Sequence, residues 1–305
     1  MSCFINAEVI VVNSNLDNSA ADLALTGPLT AGGVITLRSA IEFANFIGGS
    51  NVINFNIPAT GVVIIPVGTG DGVEGDPLPE ISTSLTIDGY SQPGATPAQV
   101  ACNAVGFEVA QLLIILNGGA VTNGIFQNGL TLVGGSDSSV IRGLVIQEFP
   151  ANGIDLNDGS AQKIVGNYIG TNETGTSAVP NGGNGINITS VTSDVFIGSL
   201  LLADRNIISG QTLLTGAFPV SGVGIYTEGS DAQIIGNFIG TDSSGTLSVP
   251  NRTGIYIFNP ISATALNNTI KCNTIQNNNG TESLEGFGVI INGATDNPIL
   301  SNSIS

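Results

Sequence analysis

The chain has 305 residues, of which 42 are Gly, 10% are charged, six are Lys or Arg and none is His, and its formal net charge is −17. So few cations exclude a basic patch for nucleic acid or for an anionic membrane surface, and the missing His excludes Ser-His-Asp, Cys-His and most zinc chemistry. At 42% hydrophobic and 5% aromatic the chain can fill a large core, but with Ile, Val and Leu rather than rings, which suits pleated strands.

In chain order, the opening "MSCFINAEVIVVN" has neither a basic n-region nor a full apolar segment, so no secretory signal is read there. No apolar run approaches the ~20 residues of a membrane span. Cys3, Cys102 and Cys272 are odd in number and widely spaced, which is no disulfide framework and no zinc site, although one pair could bridge. The stretch "ITLRSAIEFANFIG" at 35–48 puts Leu37, Ala40, Ile41 and Ala44 on one helical face, with Thr36 as N-cap and Gly48 after the end. A helix over 36–47 is predicted, placed to plug the open end of a stacked-strand structure. Strand-like runs follow at 51–57, 61–67, 84–90, 111–118 and 140–146. Between them, "DGVEGD" offers Asp71, Glu74 and Asp76 to a hard cation such as Ca²⁺. The EF-hand spacing is missing, and a solvated acidic loop is the plainer expectation.

From residue 152 onward two short phrases alternate. One carries Asn within an apolar run, at Asn167, Asn206, Asn237, Asn273 and Asn302; the other is "NGIDL", "NGINI", "VGIYT", "TGIYI" and "FGVII". Each is of strand length, β-branched and punctuated by Gly or Asn. The spacing between Asn phrases varies, which means loops of different length on one stacked unit built round a pair of strands, a parallel β-solenoid. "GNYIGTNETGTSAVPN" at 166–181 and "GNFIGTDSSGTLSVPN" at 236–251 share ten of sixteen positions and are predicted to be equivalent turn-rich loops on two coils. The phrase Asn residues are predicted to stack at one corner as an amide ladder.

If Ile154, Ile186, Ile225 and Ile255 point inward, then Asp155, Asn187, Tyr226 and Tyr256 form one exposed row. Polar groups followed by two stacked rings suit a sugar chain; plain cross-strand pairing on a strand surface is the alternative. Asp155 and Asp158 are the best local carboxylate pair for glycosidase chemistry, although Asp among Gly and Asn is commonly a turn-former. Asn-x-Thr sequons such as Asn172-Glu173-Thr174 are expected by chance in so Asn-rich a chain.

The order "VVNSN", "TLRSAIEFAN", "INFNIP", "PLPEIS", "LTIDGYSQPGA", "IRGLVI" and "GNxIGT" resembles bacterial right-handed parallel β-helix proteins of the pectate-lyase-like superfamily. More narrowly, it is similar to large secreted or surface proteins that open with a Ser-Leu-Arg-Glu-type cap. The chain departs from that cap, with Thr36-Leu37-Arg38-Ser39 in its place. The resemblance implies an all-β right-handed parallel β-helix with a short capping helix, organised as a cap over 1–50 and a β-helix over 51–305 that continues further. It implies a fold more strongly than a reaction. A β-helix lyase pairs Ca²⁺-binding carboxylates with an Arg or Lys base; Arg38 is assigned to the cap instead, and Arg142 and Arg205 to loop-holding ion pairs. The expectation is therefore a non-enzymatic extracellular or cell-surface adhesion module that binds a glycan along one face. The alternatives are a polysaccharide lyase or glycoside hydrolase, or a purely structural spacer. The C-terminal strand edge is expected to be covered by further coils or another subunit.

Overall fold

A computed structural model describes residues 7–100, 107–124, 127–211, 221–259, 266–279 and 286–305. Three parallel sheets of nine, eight and six strands contain the repeating strands. A coil runs one strand of the nine-stranded sheet, turns a corner, and runs one strand of the eight-stranded sheet. It then crosses a loop of variable length to one strand of the six-stranded sheet. Lys163–Val165, Tyr168–Ile169 and Ile186–Ile188 are one such coil. Phe196–Ile197, Ile207–Ile208 and Val223–Thr227 are the next, stacked on it in register. The chain is a parallel β-helix. The described antiparallel exceptions are the small hairpin of Gln99–Val100 with Phe107–Glu108 and isolated bridges in loops.

Columns of aliphatic side chains, one from each sheet, fill the tube. Ile154, Ile186, Ile225 and Ile255 are wholly buried, as are Ile164, Ile197, Ile234 and Ile270. A single coil cannot bury these side chains by itself, so their burial comes from the coils above and below. The sequence suggests two strands per coil, and the structure has three. The Asn phrases are not single strands: Lys163–Val165 and Tyr168–Ile169 belong to different sheets, bent apart at Gly166 and Asn167. The run 140–146 likewise splits into Val140–Arg142 and Leu144–Gln147 around Gly143, whose φ is +72°. A left-handed residue turns the chain without interrupting the apolar pattern, so the bend leaves no mark in hydrophobicity.

The same left-handed corner is occupied by Gly166 and Gly236 but, in the coil after Gly236, by Cys272 at φ +56°. A side chain in that region costs about 1–2 kcal/mol, and Cys272 is exposed and free, so its thiol returns little packing. Cys272→Gly is expected to raise the thermal midpoint, by the equivalent of about 0.5–1 kcal/mol after the added chain entropy. A lower midpoint would mean that the thiol is needed. Cys3 and Cys102 lie outside the described residues.

The corner amides make a continuous chain. Asn167 Nδ2 donates to Asn206 Oδ1 at 3.3 Å, Asn206 to Asn237 at 2.9 Å, Asn237 to Asn273 at 3.0 Å and Asn273 to Asn302 at 3.0 Å. The same Oδ1 atoms also accept the backbone N–H of the preceding ladder residue, for example Asn167 N at 2.9 Å. Each Nδ2 also reaches back to the preceding coil, to carbonyls such as Ile164 O and Ile197 O.

A second amide column, of Asn181, Gln211, Asn251 and Asn278, runs along another corner. Asn181 N donates to Gln211 Oε1 at 3.1 Å, Gln211 N to Asn251 Oδ1 at 3.0 Å and Asn251 Nδ2 to Asn278 Oδ1 at 3.1 Å. This accounts for the sixteen-residue doublet. Its first Asn (Asn167, Asn237) sits in one ladder and its last (Asn181, Asn251) in the other. Between them, Asn172 and Asp242 each accept two backbone N–H groups of their own loop. Gly175 and Gly245 lie flat on the rings of Tyr168 and Phe238, where an added Cβ would approach to 3.0 and 2.6 Å. The intervening coil turns tightly at Ser209–Gln211, so the two loops touch directly, Ser243 N donating to Gly175 O at 2.9 Å.

At the N-terminal end the helix Leu37–Ile47 packs Leu37, Ala40, Ile41 and Ala44 into the same core as Ile10, Val12 and Ile53. Its capping box is closed by Thr36 and Ser39: Ser39 N donates to Thr36 Oγ1 at 3.1 Å and Thr36 N to Ser39 Oγ at 3.0 Å. Ser at the third position thus supplies the returning acceptor that Glu or Gln usually gives. No helix among the described residues is long and apolar enough to cross a membrane.

Candidate functional site

The six-stranded sheet carries the predicted row. Asp155 pairs with Asn187, Asn187 with Tyr226, Tyr226 with Tyr256 and Tyr256 with Ile290, each on successive strands. On the other side Asp155 pairs with Thr131. An isolated bridge from Ile81 to Leu132 brings Glu80 beside Thr131, so the row begins with a residue the sequence reading does not include.

The row is in register but it is not open. Asp155, Tyr226 and Tyr256 are 7%, 9% and 7% exposed. The expected pair of stacked rings is also corrected: Tyr226 and Tyr256 meet edge to face, 5.5 Å between centroids and 89° between planes. Adjacent strands lie about 4.8 Å apart, and rings that close prefer edge-to-face contact, which hides their faces from solvent. Phe258 closes the cluster, 6.0 Å from Tyr256. What the rings present is their hydroxyl ends. Tyr226 Oη donates to Glu228 Oε1 at 2.8 Å, and Tyr256 Oη accepts from Asn292 Nδ2 at 3.1 Å. Burial, then the bond to Glu228, pushes the Tyr226 phenol up.

Asp155 accepts from Asn187 Nδ2 at 2.6 Å and from Asn152 Nδ2 at 3.3 Å. Burial pushes its carboxyl above the usual carboxylate range, opposed by those two bonds, and the charge of Glu80 pushes it the same way as burial. Asp158 is in a different setting: it is exposed in the turn, with Oδ1 accepting Gly159 N at 2.7 Å. The two share no hydrogen-bond partner, and Asp158 does what a turn-former does. The better partner for Asp155 is Glu80, two strands away on the same row.

The acidic loop of Asp71, Glu74 and Asp76 is tied down by hydrogen bonds. Asp76 Oδ1 accepts from Asn123 Nδ2 at 2.8 Å and Glu74 Oε1 from Gly72 N at 3.2 Å. Among the described residues no three His, Cys, Asp or Glu side chains are placed to hold a metal ion. The loop instead offers backbone: the carbonyls of Asp76 and Pro77 receive Arg38 at 3.0 and 2.8 Å. Other motif residues are architectural. Arg142 pairs with Asp88 at 2.6 Å, Tyr90 of "TIDGYSQPGA" donates to Gly166 O at 2.7 Å, and Gln92 pairs both ways with the Ile57 backbone.

No family model and no curated protein matches the chain. Among solved structures, the chain is similar to the crystal structure of the Dettilon tailspike protein, with 14% identity and a TM-score of 0.34; the match covers 92% of this chain and 60% of that one. The fold assignment rests on the sheets described above.

Proposed function

We propose that the chain is a non-enzymatic, extracellular β-helix module that holds a carbohydrate chain along the six-stranded sheet, and that it belongs with the bacterial surface β-helix proteins it resembles. The observation that carries this reading is the continuous row Glu80, Thr131, Asp155, Asn187, Tyr226 and Tyr256. Acceptors and donors recur along it at the spacing of one strand, and a flat-lying chain of hydroxyl-bearing units meets one group per coil. Asp155 is central. A carboxylate kept where burial disfavours its charge weakens the fold, and such costs concentrate at functional positions.

The sign of that cost is testable. A carboxyl whose folded pKa is raised contributes stability while protonated, below its unfolded value, and loses it as pH rises through the folded value. Asp155→Asn keeps an acceptor for Asn187 and removes the charge. It is expected to unfold at higher urea than the parent at pH 7 and at the same urea at pH 3. On a glycan array, where the parent binds, its signal falls at least tenfold. A stabilised variant that binds like the parent would remove Asp155 from the site, and a parent that binds no glycan would remove the reading.

A glycoside hydrolase is the second reading, favoured by Glu80. Two strand spacings put its Cα about 9–10 Å from that of Asp155, near the ~6.5–9.5 Å that separates the carboxyls of inverting enzymes. New reducing ends after incubation with the bound glycan, lost in Glu80→Gln, would replace the non-enzymatic reading.

A further inference from the structure

A further concave feature lies away from that sheet. A groove of about 430 Å³ lies on the outside of the nine-stranded sheet. Its floor is Val140, Lys163 and Phe196 on three successive strands, and one wall is the turn from Ser199 to Asp204. Phe196 is 37% exposed, against under 10% for the two tyrosines of the other face. The Lys163 ammonium lies 5.8 Å from the Phe196 ring centroid. It enters no salt bridge among the described residues, where the two salt bridges use Arg38 and Arg142. Asp204, across the groove, accepts the Ser199 hydroxyl at 2.7 Å.

We propose that this groove is a second ligand site, specific for a neutral sugar chain. An exposed ring flanked by aliphatic side chains accepts the C–H face of a pyranose. Lys163 only donates, and Asp204 only accepts while ionised. A hydroxyl satisfies both, because it can accept from one and donate to the other. A ligand of either charge sign meets one of the two groups unfavourably, and an anionic polymer is further repelled by the net charge of −17. A peptide partner would use the exposed Leu200 and Leu201, 65% and 66% exposed on the same turn but outside the groove's lining, and leave the opposed charges without a role. The site stands apart from the row on the six-stranded sheet, and neither needs the other.

The test is affinity electrophoresis of the protein through gels containing a soluble neutral β-glucan, galactomannan, dextran, polygalacturonate or alginate. The parent is expected to be retarded by at least one neutral polymer and by neither acidic one. Phe196→Ala, a surface change, is expected to weaken that retardation at least tenfold and Lys163→Met several-fold. Lys271→Met, on the same sheet but outside the groove, is expected to leave it intact. No retardation by any neutral polymer, retardation by the acidic ones alone, or an undiminished Phe196→Ala overturns the proposal. If Leu200→Ser with Leu201→Ser abolishes retardation while Phe196→Ala does not, the ring is not the platform and the proposal fails equally. Loss in Asp155→Asn alone assigns the binding to the six-stranded face and removes it from the groove.

Discussion

Asn237→Ala is expected to destabilise the protein by about 4 kcal/mol, because it orphans several buried groups at about 1–3 kcal/mol each. Asn237 is wholly buried in the middle of the ladder. Its Oδ1 accepts Asn206 N at 3.3 Å and Asn206 Nδ2 at 2.9 Å, and its Nδ2 donates to Ile197 O at 2.8 Å and Asn273 Oδ1 at 3.0 Å. Alanine offers none of these, and the space it leaves is lined by the backbone of three coils. Asn237→Asp separates hydrogen bonding from volume. It keeps the acceptor but turns a second oxygen toward Ile197 O and Asn273 Oδ1, so it should cost at least as much as alanine near neutral pH. Urea unfolding measures both. An aspartate variant as stable as the parent would mean that the amide chain is decoration.

Arg38→Met is expected to cost about 3–5 kcal/mol, the range for breaking one side of a buried ion pair. Arg38 and Asp17 are 4% and 0% exposed in their side chains and 2.8 Å apart. The guanidinium also donates to the carbonyls of Asp17, Asp76 and Pro77, and Asp17 Oδ2 accepts Gly68 N at 2.6 Å. One pair therefore joins the N-terminal segment, the capping helix and the loop after residue 66, and lysine has too few donors in the right plane to replace it. Burial already pushes the Asp17 carboxyl up, opposed by Arg38 and by the Gly68 bond. Without Arg38 that opposition weakens and the folded pKa rises further. Folding of the variant then favours the protonated acid, so its deficit should be larger at pH 7 than at pH 4. Asp17→Asn combined with Arg38→Met should cost less than the two single changes summed, because neither charge is left buried alone.

The sheet architecture and the interior were legible because burial in a stacked coil forces the same aliphatic pattern on every winding. Ile164, Ile197, Ile234 and Ile270 repeat for that reason alone. The first amide column was visible because each Asn sits inside an apolar phrase, where a solvated side chain has no place. The second was hidden: Asn181 and Asn251 close polar loops, and Gln211 replaces Asn between them, so composition marks them as turn residues. The third sheet was hidden by corners that bend the backbone and leave hydropathy untouched. The row on the six-stranded face could be placed by alternation, but its exposure could not, because that depends on how neighbouring rings tilt. Glu80 carries no sequence mark of its place in the row, for a different reason. It lies next to prolines in "PLPEIS" and joins the row through a single bridge at Ile81.

The stacking of coils can be measured directly with pairs of spin labels on the outer face of the nine-stranded sheet. One label is fixed at Val9 and the second is placed at Lys163, Gln233 or Thr269, which lie four, six and seven strands away in the pairing order. At about 4.8 Å per strand the backbone separations are about 19, 29 and 34 Å, so pulsed dipolar distances should rise by one strand spacing per coil whatever the length of loop between. Distances that instead follow sequence separation, or that fail to rise from Gln233 to Thr269, would contradict the stacked tube on which both binding proposals stand.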